Sequence, residues 1–476
     1  MDILFIRPDP GNERFGLGPF FRVEPLGVEY IAAALARRGV RSRAVDQRFD
    51  RRLDRFLDER PQVVGIAGQH ALEFDRVIAT AREVRRRLPD AFVVVGGHAV
   101  AAYPKPLEIP EVDAVVTGDG EEVMVDLVDA LASRRPLSEV AGLRLRTPDG
   151  WVSTMAAPRL ELPADIQPAR HLVDRYRDRY MCVLFRPLWA IETARGCPFR
   201  CSFCSITNLF GRSFRHRPIG AVVEDFATSG EHVFVVDDLF WYPAARSLEL
   251  AQALKKRGIK KRFLLVQSRT DLVARHPELL EAWRPVAEKF DIFFGLEAAD
   301  AAQLSAMRKD ATVDHTVDGI GVARAHDYGV TGNFIIDPTW GEDDFGRLWE
   351  FVRVHRLQRS GFTIATPLPG TDEYERVQPA LAGIAWERFD MHHLLAEPRL
   401  GHERFLGLYA ETWRRSVLNA RASTRWLKWM REVKVAQIPA LLGVLRRTQR
   451  LMDKGAYLAE HEARMPPAPS LSSTAH

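Results

Sequence analysis

Two long series of short β-branched runs alternating with amphipathic stretches extend along this chain, and no other feature narrows its fold so far. In the first series the apolar runs fall at residues 3–7, 41–46, 63–67, 92–95 and 114–117, with helical candidates such as 27–38 and 74–87 between them. Repetition of strand and helix in this way predicts an α/β fold with a doubly wound parallel sheet over residues 1–135. Residues 136–185 break the rhythm. LRLRTPDGWVST reads as a hairpin around Pro148, Asp149 and Gly150, and the Arg- and Pro-rich chain after it is expected to complete a linker. The alternation resumes with strand candidates at 189–193, 232–236, 262–266, 292–296, 332–336 and 361–365. These six βα units predict a partial parallel barrel over 186–385, whose chemistry sits at the C-terminal ends of its strands. Residues 386–464 turn helical and rich in Arg and Trp, and 465–476 form a polar Pro and Ser tail expected to be disordered.

Composition removes several function classes. With 476 residues, 46% hydrophobic and 27% charged, the chain has ample material for several buried cores, which argues against wholesale disorder and fibrous architectures. No stretch approaches the ~18 uncharged apolar residues of a membrane helix. Asp2 stands ahead of a short apolar run where a signal peptide would carry a basic leader, so a cytoplasmic location is expected. Sixty-seven Lys and Arg against 63 Asp and Glu leave a net charge of only +4, and no nucleic-acid partner is expected from so balanced a surface.

Three of the four cysteines carry the chemistry. Cys197, Cys201 and Cys204 lie within eight residues, while Cys182 stands apart and reads as an ordinary thiol. Tight clustering in a large intracellular chain points to metal rather than to disulfides. The segment follows the first barrel strand, which places three thiols on a loop at that strand's C-terminal end. Three thiolates at intervals of four and three positions can take three corners of a cubane cluster and leave the fourth iron open to a substrate. The structural alternative is zinc, which wants a fourth ligand and commonly a second paired motif downstream.

The CxxxCxxC loop at this place, with Phe203 just before the last cysteine, resembles the radical S-adenosylmethionine (SAM) enzymes. The resemblance implies a 4Fe–4S cluster on Cys197, Cys201 and Cys204, and SAM bound to its open iron, with Phe203 among the residues that contact SAM. Bound SAM needs acceptors for its ammonium, a cation for its carboxylate and an acid or amide for its ribose. At successive strand ends Asp238 resembles the ammonium-binding position, Arg269 could form charge-assisted bonds to the carboxylate, and Glu297 is similar to a ribose-binding acid. Each could instead be a helix cap or a surface ion pair.

The loops beyond the N-terminal strands carry Gly96, Gly97 and His98 after the fourth strand and Gly118, Gly120 and Glu121 after the fifth. Adjacent glycines let a bulky flat ligand approach the backbone. Together with Pro25 and Gly27 at the first helix, these loops resemble the flavodoxin-like cobalamin-binding domain fused to one large radical SAM class. Asp46-Gln47-Arg48 follows the second strand, with no DxHxxG motif to supply an axial histidine to cobalt. The same glycines could equally be ordinary turns.

Over residues 1–410 the motifs RGCP at 195–198, FVVDD at 234–238 and TPLPGT at 366–371 are most similar to the hopanoid C-3 methylase group of cobalamin-binding radical SAM methyltransferases. That resemblance implies methylation of an unactivated carbon of a hydrophobic, hopanoid- or isoprenoid-like substrate by way of methylcobalamin and a 5′-deoxyadenosyl radical. It also implies a flavodoxin- or ferredoxin-type reductant, and no side chain is assigned as a general base. The alternatives are a cyclase or rearrangement enzyme with the same cofactors, and a cobalamin-binding regulator with a degenerate barrel. Residues 425–452 mix Trp and Leu with Arg and Lys, so a helix there could lie peripherally on the inner membrane surface, or could pack onto the barrel instead.

Overall fold

Strand β1 (Asp2–Arg7) shows why the first part of the chain builds a sheet with two covered faces. Ile3 and Phe5 are buried in one hydrophobic cluster, and Leu4 and Ile6 in another. In the computed structural model, which describes residues 1–11, 20–159, 161–162, 166–357, 360–417 and 438–462, β1 lies between β2 (Arg41–Asp46) and β3 (Val63–Ala67). Then follow β4 (Phe92–Gly96) and β5 (Ala114–Val116), all parallel. The order β2-β1-β3-β4-β5 reverses direction beside β1, and ligands of such sheets bind beyond the strand C-termini there. The segment expected to be a linker from residue 136 departs from that expectation at its start. Its hairpin, β6 (Leu143–Thr147) and β7 (Gly150–Ser153), pairs antiparallel with β5 and extends the same sheet, because Leu143 and Leu145 alternate into the core.

The second sheet is the expected partial barrel. Strands β8 (Leu188–Ile191), β9 (His232–Val235), β10 (Lys261–Ser268), β11 (Ala287–Glu297), β12 (Gly329–Ile336) and β13 (Gly361–Ile364) pair in sequence order, all parallel, as an open curled sheet. Strands β10 and β11 begin earlier than their apolar runs suggest. The Lys261 ammonium is buried but donates to the carbonyls of Phe226 (2.6 Å), Ser229 (2.9 Å) and Gly230 (2.9 Å), so a charged residue is accommodated inside a strand.

Alternation along the barrel strands joins the two halves. Val233, Val235, Leu264 and Val266 face the outer helices, whereas Ala190, Phe234 and Leu265 share a core cluster with Leu26, Tyr30 and Leu127 of the N-terminal domain. Phe21 meets Phe234 edge to face, with ring centroids 4.9 Å apart. A buried ionic network seals the same junction. Arg170 bonds Glu24 (2.5 Å), Asp225 (2.6 Å) and the Ala190 carbonyl (2.7 Å), while Glu24 also accepts the Ala190 N–H (2.7 Å).

The region from Trp386 is partly irregular before helices at His402–Val417, Ile438–Leu451 and Lys454–Glu462. The reading of 425–452 falls partly outside the described residues, and the tail from 465 onward lies wholly outside them. No described helix is long and apolar enough to cross a membrane. The Tyr409 hydroxyl donates to the Phe362 carbonyl (2.7 Å) and bonds the His392 ring (2.7 Å), fixing the first of these helices on β13. His461 accepts the Leu394 N–H (2.9 Å), so the last helix closes over the same layer.

Burial pushes His392 and His461 down to about 4, against the effect of Asp390 on His392 and with His393, His402 and Arg388 around His461. Both imidazoles are therefore neutral in the fold at neutral pH. An unfolded chain takes up these protons once pH drops through about 6.5 while the folded chain refuses them until about 4. Thermal unfolding followed by circular dichroism should accordingly show a midpoint that falls steadily from pH 6.5 to pH 4, with a shallower fall in the His392→Gln/His461→Gln double variant.

Candidate active site at the junction of the two sheets

Beyond Ile191 the chain leaves β8 and forms a short ribbon, Ala194–Gly196 paired with Phe214–His216. Gly196 has φ +93°, and a Cβ there would collide with the Ser213 carbonyl, so only glycine allows the turn into the cysteine loop. The loop is held from several sides. Ser202 N–H donates to the Met307 carbonyl (3.0 Å), the Thr207 hydroxyl donates to the Phe199 carbonyl (2.9 Å), and the Arg269 guanidinium covers the Phe199 ring at 3.7 Å. Phe203 is half-buried within it.

The three thiols sense one another. Burial pushes Cys197, Cys201 and Cys204 upward, Cys204 to about 12; Cys201 adds to the rise at Cys197 and at Cys204, whereas at Cys201 itself Lys309 and Arg269 oppose it. Thiolates are thus disfavoured here until a cationic centre compensates them, as an iron–sulfur cluster would. Among the described residues no three His, Cys, Asp or Glu side chains gather closely enough to hold a single ion. The donor set is three thiols of one loop, one ligand short of a structural zinc site and matched to three corners of a cubane.

The residues expected at later strand ends converge on this loop. Asp238, after β9, accepts the Gly196 N–H through Oδ2 (2.9 Å) and acts electrostatically on Cys197 and Cys204. Crowding by surrounding protein atoms raises its carboxyl to about 6 while the side chain stays open to solvent at the mouth, so a neighbouring ammonium would be a favourable partner. Its neighbour Asp237 is spoken for, since it accepts the Thr193 N–H (2.6 Å) and hydroxyl. Arg269, after β10, is anchored by Asp271 (2.8 Å) and the Asp310 carbonyl (2.5 Å) and acts on Cys197 and Cys201. Glu297, at the end of β11, acts on Cys201 and is paired with Lys309 at 2.7 Å.

The N-terminal glycine loops lie against the same mouth. Gly97 has φ +115° and would place a Cβ 2.5 Å from the Gly68 carbonyl oxygen, and a Cβ at Gly120 would meet Ile31 at 2.6 Å. Gly97 is therefore required by its backbone, whereas at Gly120 the contact is with the end of a flexible side chain. Gly27, one residue inside the helix Leu26–Ala36 that Pro25 precedes, has open space where a Cβ would be, and at Gly118 the nearest atom is 3.7 Å away. Gly96 sits against Val116 at 3.4 Å. An open margin beside tight turns suits a flat ligand such as cobalamin.

Two residues expected to touch that ligand are engaged with the barrel. His98 Nε2 lies 2.8 Å from the hydroxyl of Ser205, the residue after Cys204. Both Glu121 oxygens bond Arg195, at 2.5 and 3.2 Å, and Asp119 bonds the same guanidinium at 3.1 Å. Where an axial-histidine motif would stand, Asp46 and Arg48 form a buried ion pair (2.6 Å). Residues the sequence reading missed are His70, which follows β3 within electrostatic reach of His98, and Ser205 and Lys309. The strand-end rule alone could have flagged His70; nothing local distinguished Lys309. Cys182 lies in a two-residue ribbon with Phe21, outside the cysteine loop.

Comparison with known proteins agrees with this geometry. Residues 19–128 match the B12 binding domain and residues 191–352 the radical SAM superfamily. The hopanoid C-3 methylase of Methylococcus capsulatus is 32% identical over 408 residues, covering 83% of this chain and 76% of that protein. The anaerobic magnesium-protoporphyrin IX monomethyl ester cyclase of Rubrivivax gelatinosus is 26% identical, covering 84% and 74%. The solved structure of the cobalamin-dependent SAM radical enzyme OxsB, with aqua-cobalamin and SAM bound, superposes with a TM-score of 0.68 at 15% identity, covering 96% of this chain and 74% of that one. With its two matched domains meeting at a cysteine loop, the chain belongs to the cobalamin-binding radical SAM methyltransferase family.

Proposed function

We propose that this enzyme methylates an unactivated carbon of a hydrophobic polycyclic or isoprenoid-like substrate, with hopanoid-type lipids as the foremost class. The observation that supports the reading is one junction: the three thiols, Asp238, Arg269 and Glu297 share the barrel mouth, and the His98–Ser205 bond holds the glycine loops against it. The kinship with a hopanoid C-3 methylase supports the substrate class. When bound, the 4Fe–4S cluster and cobalamin supply reductive cleavage of SAM to a carbon radical and delivery of a methyl group.

The chain's own part is to bind and orient. Cys197, Cys201 and Cys204 would hold three corners of the cluster, with Phe203 walling the SAM site. Asp238 would accept the SAM ammonium, Arg269 would meet its carboxylate and Glu297 its ribose. Pro25, Gly27, Gly96, Gly97, Gly118 and Gly120 would border cobalamin, while His98 and Glu121 position that border against the barrel. A flavodoxin- or ferredoxin-type protein would deliver the electrons.

Protein reconstituted anaerobically with iron, sulfide and cobalamin, then reduced and given methyl-labelled SAM with hopanoid lipids, should yield a labelled product heavier by one methylene. A changed product without label would instead indicate cyclisation or rearrangement, the reaction class to which the cyclase relative points. Gly97→Ala should lower cobalamin retention about tenfold or more, read from the corrin absorption of the purified protein, while iron content stays at the parental level.

Membrane contact is a further part of the proposal. Ile438, Leu442 and Leu445 are exposed at helical spacing, Arg446 and Arg450 are exposed beside them, and Leu441 and Leu451 are buried on the other side. Such a face suits shallow contact with an anionic lipid surface. Leu442→Ser/Leu445→Ser should reduce co-sedimentation with anionic liposomes several-fold, and unchanged co-sedimentation would reject the contact.

A further inference from the structure

The segment 307–310, just after the helix Ala301–Ala306, has no role in the assignments above, yet it is bonded to three parts of the site. The Met307 carbonyl accepts Ser202 N–H (3.0 Å) from the cysteine loop, and the Asp310 carbonyl accepts Arg269 Nη2 (2.5 Å). Lys309, only 8% exposed, donates from Nζ to the Gly295 carbonyl (2.6 Å) and to Glu297 Oε1 (2.7 Å).

The surroundings are built for this pair. A Cβ at Gly295 would collide with Glu297 Oε1 and come within 2.8 Å of Lys309 Nζ, so glycine leaves the room that the two side chains fill. Glu297 itself has φ +58°, at the bulge where the pairing of β11 with β12 shifts between Gly295 and Glu297. A non-glycine residue stays in that conformation only when its neighbours over-determine it. A buried ammonium likewise needs its partners. Lys309 lies two residues beyond Met307, whose carbonyl holds the N–H of Ser202, the neighbour of Cys201.

We infer that Lys309 is a positioning residue that pins Glu297 and sets a positive charge beside the Cys201 corner, raising the reduction potential of the iron–sulfur cluster. The inference rests on the cofactor reading proposed above. Reduction adds one electron to the cluster, and a fixed cation nearby favours the more negative, reduced form. A merely structural lysine would have no such electrical signature.

The test is an EPR-monitored redox titration of the full-length reconstituted protein without SAM or cobalamin. Lys309→Met should shift the cluster midpoint downward, Lys309→Arg should leave it near the parental value, and Glu297→Gln, which removes the opposing carboxylate, should shift it upward. Equal midpoints in Lys309→Met, Glu297→Gln and the parent would overturn the inference, as would equal downward shifts in the Met and Arg variants. If Lys309→Met does not load a cluster, the sign of the Glu297→Gln shift decides. A parent that takes up no iron or sulfide at all would instead defeat the cofactor reading itself.

Discussion

The site depends on Arg195, a guanidinium of the cysteine loop's own ribbon held by acids from both domains. Asp119 and Glu121 reach it from the N-terminal sheet, and Glu192 bonds Nε at 2.9 Å from the end of β8. Taking so many charges out of water is costly, and the cost is met only when the geometry satisfies each of them. Arg215, on the opposite strand of the ribbon, bonds Asp119 as well. The cysteine loop is thereby tied to the edge of the sheet that carries the glycine loops, and the two cofactor-bearing margins meet at a fixed register.

The fold was legible because parallel sheets write themselves into sequence as apolar runs at regular intervals. All eleven expected runs are strands, and β2 and β3 have the expected bounds. Charge at or inside a strand hid where two of them begin. Lys261, Lys289 and Asp291 interrupt the apolar pattern of β10 and β11, and only tertiary partners, such as the carbonyls around Lys261, make those positions tolerable. The hairpin β6–β7 was recognised from its turn residues, but its membership of the sheet is a long-range pairing with β5 that local chemistry does not announce.

The site divides in the same way. Three thiols in one loop are a local signal, and Asp238, Arg269 and Glu297 were legible through the family resemblance at successive strand ends, where barrel chemistry lies. Lys309 carries no such mark, since its role depends on a bulge at Glu297 and on the room left by Gly295. His98 and Glu121 lie on the expected loops, but their side chains bond Ser205 and Arg195 across the junction of the two sheets, long-range pairings that local sequence does not announce.

The shared core cluster has a consequence for how such a protein can be cut or recombined. Ala190, Phe234 and Leu265, the inward positions of the first three barrel strands, are covered by residues of the N-terminal domain rather than by the barrel itself. A fragment containing only the second sheet would present that apolar lining to water, where exposed patches invite aggregation. Chimeras that exchange the corrinoid half between relatives must therefore carry a matching lining with it.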